Sequence, residues 1–294
     1  IPDLLVRSAN SPPRIFVLKG LGRGTFAPPV ALQLGCLELG QTEAGPSKSA
    51  GFDRRRLAFL GDLEGNGRIE AVTSVQLASG SEGLKAGLKE IKTPHFKYRF
   101  YRIAPDLRVD AAPYQELEVV GQRLTVPFQD LDGDGRKELV TVTLDFSLLG
   151  VVRLVATKKI SVGFGFNVWA QGDDGRFREV GGQDLGDRFT IDLNEIDESV
   201  GIRLQGIAGD LDGDRKLDFV RMGSGKRIAI RRGGAKCRFS AKPDLEIELD
   251  EELASASQAR ILDLDGDGRD DLSIVRPLPA PEAGVSPPVR LDLY

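Results

Sequence analysis

Asp263-Leu264-Asp265-Gly266-Asp267-Gly268-Arg269-Asp270-Asp271 carries carboxylates at its first, third, fifth and ninth positions and glycine at its sixth. Alternate residues of a curled segment point inward, so this spacing gathers three carboxylates, and the ninth position adds a fourth. The backbone carbonyl at the seventh position, Arg269, completes a shell of oxygens. Calcium is a hard cation that takes about six to eight oxygens from such a segment. Left unpaired, so many like charges repel at close range. The stretch reads as an ion cage.

The pattern recurs upstream. Asp130, Asp132, Asp134 and Glu138 form one copy, with Arg136 at the carbonyl position. Asp210, Asp212, Asp214 and Asp218 form another, with Lys216 in that place. A weaker copy runs Asp62, Glu64, Asn66, Glu70, with Arg68 seventh. Each is followed by a β-branched or apolar run such as Val140-Thr-Val-Thr143 or Leu272-Ser-Ile-Val275. Pro2-Asp3-Leu4-Leu5-Val6 reads like the tail of a further copy.

An EF-hand shares the opening of this pattern but needs a bidentate glutamate at position twelve and a helix on each side. The twelfth positions here are Thr73, Thr141, Arg221 and Ile274, and the flanks read as strands. A plain solvated turn explains one copy, not four with matching flanks. Calcium loops in a β setting are the expectation.

At 294 residues the chain has room for one large domain or two small ones, and its apolar content is that of an ordinary globular protein. The net charge of −4 includes no basic excess to suggest nucleic acid. No apolar run reaches the length of a membrane span; Leu148 to Ala156 is interrupted by Gly150 and Arg153. The chain begins at Ile1, partway through a motif, as a processed or trimmed chain does. Calcium loops of modest affinity fill where free calcium is plentiful, which points to an extracellular, cell-surface or periplasmic setting. Cys36 and Cys237, the two cysteines, are compatible with a disulfide or with two separate thiols.

A repeating unit surrounds each loop. An apolar strand enters it (Leu57 to Leu60, Leu124 to Val126, Leu204 to Ala208, Ala259 to Leu262) and a second leaves. A third then runs into a glycine-rich turn and a fourth: Arg14 to Leu18, Gly20 to Phe26 and a strand near Val30 to Leu39; Asn167 to Ala170, Gly172 to Gly175 and Phe177; Arg227 to Arg231, Gly233-Gly234 and Phe239. The loops start 68, 80 and 53 residues apart. Four short antiparallel strands per unit is what a β-propeller blade requires; a two-sheet sandwich does not explain why one loop keeps returning at one place in each strand set. The expected fold is therefore all-β, a propeller of four-stranded blades with ion loops between first and second strands. The units run approximately 1–50 (partial), 51–121, 122–200, 201–256 and 257–294 (partial), in one propeller domain or segment.

These loops and glycine hairpins resemble the FG-GAP, or VCBS-repeat, β-propellers, the family that includes the integrin α-subunit head, over nearly the whole chain. The resemblance implies that the acids of the three strong copies, Asp130 to Glu138, Asp210 to Asp218 and Asp263 to Asp271, are calcium ligands. Two copies depart from it. Arg215 replaces the sixth-position glycine, at a cost of about 1 kcal/mol if its φ is positive. The first copy substitutes Glu64 and Asn66, and is expected to bind weakly or to persist as an empty turn. The family's seven blades exceed the five units here, which favours a segment of a longer protein. Ser81 to Lys92, with Leu84, Leu88 and Ile91 at helical spacing, and Phe146 to Lys159 read as short helical insertions between second and third strands. They would thicken the rim opposite the calcium loops, the face that carries ligand contacts in integrin-like proteins, or simply seal it.

No catalytic constellation stands out. His95 is the only histidine. No nucleophile-elbow, phosphate-loop or zinc-protease motif is present, and Gly20-x-Gly-x-Gly24 is a hairpin with no helix after it. Carboxylate pairs abound, as glycosidases need, but nearly all belong to the loops; Asp192, Glu195, Asp197 and Glu198 read as a solvated connector. Lys97-Tyr-Arg-Phe-Tyr-Arg102 reads as a strand with aromatic and basic faces rather than a base-stacking surface. Arg54-Arg55-Arg56 reads as an exposed connection. Trp169, the single tryptophan, offers no repeated sugar platform. The expectation is a non-catalytic, calcium-stabilised module that presents the face opposite its loops to a protein or glycan partner. The alternatives are a scaffold or accessory domain of a polysaccharide-acting enzyme, or a structural subunit of a surface assembly.

Overall fold

The computed structural model describes residues 4–7, 15–37, 39, 54–77, 93–145, 150, 157–192, 207–222, 226–251, 259–277 and 289–293. The chain is all-β, in small antiparallel sheets, and divides into two compact units. The expected insertion at 81–92 lies outside the described residues. The one at 146–159 is described only at Gly150 and residues 157–159, and of the acidic connector only Asp192 is described.

The first unit comprises Ile1–Glu90 and Pro94–Val120. Its first sheet pairs β1 (Leu4–Arg7) with β2 (Ile15–Leu18), and β2 with β5 (Val30–Ala31). Between β2 and β5, a hairpin joins β3 (Gly20–Gly22) to β4 (Thr25–Phe26). Arg23 and Gly24 turn it with φ of 51° and 73°, the double left-handed turn that matches strand twist. The second sheet runs in chain order through β6 (Arg56–Gly61), β7 (Glu70–Leu77), β8 (His95–Arg102) and β9 (Gln115–Val120). Along β8, Phe96, Tyr98 and Phe100 are buried, whereas Lys97 and Arg99 pair with Glu116 of β9 at 3.1 and 2.5 Å. This is the alternation expected for that stretch. The two sheets share a core of Ile15, Val17, Leu32, Leu37, Ala71, Tyr101 and Ile103. One expectation is corrected: Arg54 and Arg56 are exposed, but Arg55 is 3% exposed and donates from Nη1 to Thr73 Oγ1 at 3.3 Å.

The second unit, Ile91–Thr93 with Gly121–Tyr294, holds three larger sheets. The third sheet orders β10 (Gln122–Gln129), β11 (Glu138–Asp145), β12 (Lys159–Gln171) and β13 (Phe177–Asp192). The β10–β11 register shifts between Arg123 and Phe128, where Pro127 offers no N–H. The fourth sheet orders β14 (Ile207–Gly209), β15 (Asp218–Met222), β16 (Arg227–Arg231) and β19 (Leu245–Glu248); a hairpin of β17 (Gly233–Gly234) and β18 (Arg238–Phe239) lies between the last two. The fifth pairs β20 (Ala259–Leu262), β21 (Asp271–Pro277) and β22 (Val289–Leu293).

Aromatic packing joins the third and fourth sheets. Phe166 meets Phe219 edge-on at 4.9 Å, and Phe239 closes the trio at 5.6 Å from Phe219 and 5.9 Å from Phe166. Edge-on ring pairs add about 0.5–1.5 kcal/mol beyond area burial. Val220, Ile228, Ile230, Leu272 and Ile274 join the fourth sheet to the fifth. The other face of the fifth sheet carries Leu262, Leu291 and Leu293, each exposed.

Candidate metal centre

Each acidic loop joins the first and second strands of its sheet: β6–β7, β10–β11, β14–β15 and β20–β21. All four share one internal hydrogen-bond scheme. The first-position carboxylate accepts two backbone N–H groups of its own loop, one from the sixth position. Asp62 takes Asn66 and Gly67 at 3.1 and 2.8 Å, Asp130 takes Gly133 and Gly135 at 2.8 and 3.0 Å, Asp210 takes Gly213 and Arg215 at 2.8 Å each, and Asp263 takes Gly266 and Gly268 at 2.7 and 3.1 Å. The fifth-position oxygen accepts the seventh-position N–H, through Asn66, Asp134, Asp214 and Asp267. The ninth-position acid reaches back to the second-position N–H: Glu70 to Leu63, Glu138 to Leu131, Asp218 to Leu211, Asp271 to Leu264. Such a curl requires a left-handed sixth residue, and φ there is 79°, 90°, 68° and 87° in chain order. The 68° belongs to Arg215, so the strain anticipated from its sequence is present.

In the three strong copies the acids converge. Ligand oxygens of Asp130, Asp132 and Asp134 lie within 4.8 Å of one another, as do those of Asp210, Asp212 and Asp214, and of Asp263, Asp265 and Asp271. The seventh-position side chain pairs with the fifth-position carboxylate in each: Arg136 with Asp134 at 3.3 Å, Lys216 with Asp214, and Arg269 with Asp267 at 3.9 Å. Glu138 is 2% exposed. Burial above all pushes its carboxyl up to about 8, reinforced by Asp132, Asp134 and Asp130 and opposed by the Leu131 N–H. Burial likewise raises Asp218, with the N–H groups of Gly233 and Leu211 opposing.

Asp132 Oδ1 tests whether this set suits a cation. It is sealed from solvent and has no hydrogen-bond partner among the described residues. A buried carboxylate oxygen left unpaired is costly, and a bound cation removes that cost. The oxygen-rich donor sets match a hard divalent ion.

The Asp62 copy differs. Its acids form no convergent group among the described residues. Glu64 is already engaged: Oε2 accepts from Asn66 Nδ2 at 2.8 Å and Oε1 from Arg102 Nη2 at 3.5 Å, with the Arg102 guanidinium 4.6 Å over the Tyr114 ring. Glu70 is buried, which raises it to about 7 despite the Leu63 N–H. Arg232 stands in a similar place beside the Asp210 loop, its Nε 3.4 Å from Asp212 Oδ2, so the first loop is set apart by its acids not converging rather than by a guanidinium alone.

The loops of the second unit also touch one another. Leu217 N donates to Leu131 O at 3.1 Å, and Asp270 N to Asp210 O at 2.7 Å. A Cβ on Gly133 would run into the Arg215 carbonyl. Sequence reading missed Arg102, Asp270 and Cys237, which is 6% exposed and whose thiol lies 3.7 Å from Asp132 Oδ2. Each acts on a loop far from it along the chain, so no local motif marks it. Both cysteines are free thiols. No helix among the described residues is long and apolar enough to cross a membrane. Comparison with known proteins finds no matching family model and no matching curated protein.

Proposed function

We propose that this chain is a calcium-stabilised β-propeller, or a segment of one, of the FG-GAP/VCBS type, and that it serves as a non-catalytic interaction module outside the cell or in the periplasm. The observation that carries the reading is the one hydrogen-bond scheme repeated in all four loops, with convergent carboxylates in three. Asp130, Asp132, Asp134 and Glu138, then Asp210, Asp212, Asp214 and Asp218, then Asp263, Asp265, Asp267 and Asp271 would hold the ions, with the carbonyls of Arg136, Lys216 and Arg269. Bound calcium supplies charge neutralisation and a fixed strand-to-strand turn. Asp62, Glu64, Asn66, Arg68 and Glu70 form a turn balanced by Arg102 and stay empty.

Support for blades comes from the second unit, where consecutive sheets share apolar cores and their loops touch edge to edge. The exposed leucines on the outer face of the fifth sheet suit a further sheet packed there. A protein or glycan partner would meet the face opposite the loops. Titrating the chelated chain with calcium tests the reading: three ions per chain are expected, and no binding above background would end it.

A further inference from the structure

Cys237 belongs to the fourth sheet's hairpin, yet its thiol lies beside the Asp130 loop of the third sheet. Both Lys236 and Cys237 adopt positive φ, 60° and 55°, in the turn that sets the thiol there. Ligand atoms of Asp132, Glu138 and Cys237 all lie within 4.8 Å of one another. A tetrahedral zinc site has Zn–S near 2.3 Å and Zn–O near 2.1 Å, which puts sulfur and oxygen about 3.6 Å apart; Cys237 Sγ and Asp132 Oδ2 are 3.7 Å apart. The other oxygen of that carboxylate, Asp132 Oδ1, is shut off from water with no hydrogen-bond partner among the described residues.

We infer that Asp132, Glu138 and Cys237 form a three-ligand seat for a thiophilic divalent cation of the zinc class, leaving a fourth position for water. The Asp210 and Asp263 loops offer oxygen donors only among their convergent residues, so they lack this preference. The seat shares Asp132 and Glu138 with the calcium loop, so zinc and calcium compete there. It does not depend on calcium filling the other loops.

Cobalt(II), which reports thiolate ligation by a charge-transfer band, tests the seat in the full chain. The band should saturate at one cobalt per chain, be bleached by zinc, persist in Cys36→Ser and vanish in Cys237→Ser. Asp132→Asn should weaken cobalt binding at least tenfold. In the unmutated chain, peptide-mapped alkylation of Cys237 should slow at least tenfold with one equivalent of zinc, so the test does not hang on how a variant folds. Absence of the band, its survival in Cys237→Ser, or alkylation indifferent to zinc would overturn the proposal. A chain whose melt ignores calcium chelators but gives the band would refute the calcium reading and leave this one standing.

Discussion

Asp210 and Asp270 are joined twice: Asp270 N donates to Asp210 O at 2.7 Å, and Asp210 N donates to Asp270 Oδ2 at 2.8 Å. One is the first residue of the third acidic loop and the other the eighth of the fourth, so two candidate ion sites share a hydrogen-bonded seam. Asp270→Ala leaves a half-buried N–H unpaired, an expected loss of about 1–3 kcal/mol. At roughly 2–4 °C per kcal/mol for a unit of this size, a melt should show the drop. An unchanged melting temperature would mean that water replaces the carboxylate without cost.

Arg215 is the sixth-position residue that pays for a backbone made for glycine. Arg215→Gly relieves a left-handed strain of about 1–2 kcal/mol but adds unfolded-state freedom worth about 0.5–1 kcal/mol. The net expectation is stabilisation by roughly 0.5–1 kcal/mol. Arg215→Val, β-branched at positive φ, should be destabilising. Denaturant midpoints of the two variants should fall on opposite sides of the parent.

The buried ninth-position acids set a pH dependence. Glu138 sits at about 8 and Glu70 at about 7 in the folded, ion-free chain, against roughly 4.3 when unfolded. The folded state therefore binds more protons, and stability falls as pH rises. The contribution is fully present below the unfolded value and is lost as pH passes through the folded ones. In chelator the melting temperature should decline between about pH 5 and pH 8, and Glu138→Gln should flatten the slope. With calcium the decline should shrink or reverse, because deprotonated carboxylates bind the ion. A flat profile in chelator would contradict these raised carboxyls.

Phe219 sits in the trio with Phe166 and Phe239 that joins the third and fourth sheets. Phe219→Ala should cost about 3–5 kcal/mol, as for large buried aromatics. Phe26→Ala, at an exposed hairpin position, should stay near zero. Equal losses in the two variants would refute this account of the core.

Much of the strand order was legible because each acidic loop fixes where one strand stops and the next begins, and β-branched runs mark the exits. Arg23-Gly24 and Gly175 marked hairpins for the same local reason. The length of the β12–β13 hairpin, paired from Lys159↔Asp192 to Gln171↔Phe177, was not legible. Its glycines, Gly163, Gly165, Gly181 and Gly182, weaken the strand signal; at Gly165 and Gly182 a Cβ would collide with the facing strand. Arg55 looked exposed beside two arginines that are. Its contact with the Thr73 hydroxyl, across the sheet, is one that no local motif announces. In the site, ligand spacing was local and readable, but Arg102 against Glu64 and Cys237 against Asp132 are contacts between distant segments, set by packing that no short motif encodes.

Calorimetric titration of the chelator-treated chain with calcium, paired with melts in calcium and in EGTA, asks whether the acidic loops hold calcium and whether the fold leans on it. A site at a hundredfold excess over its dissociation constant adds about 2.7 kcal/mol, so three sites rival the ~5–15 kcal/mol net stability of a typical domain. Three ions per chain and a large fall in melting temperature in EGTA are expected. No binding heat, with identical melts in calcium and EGTA, would contradict the calcium reading.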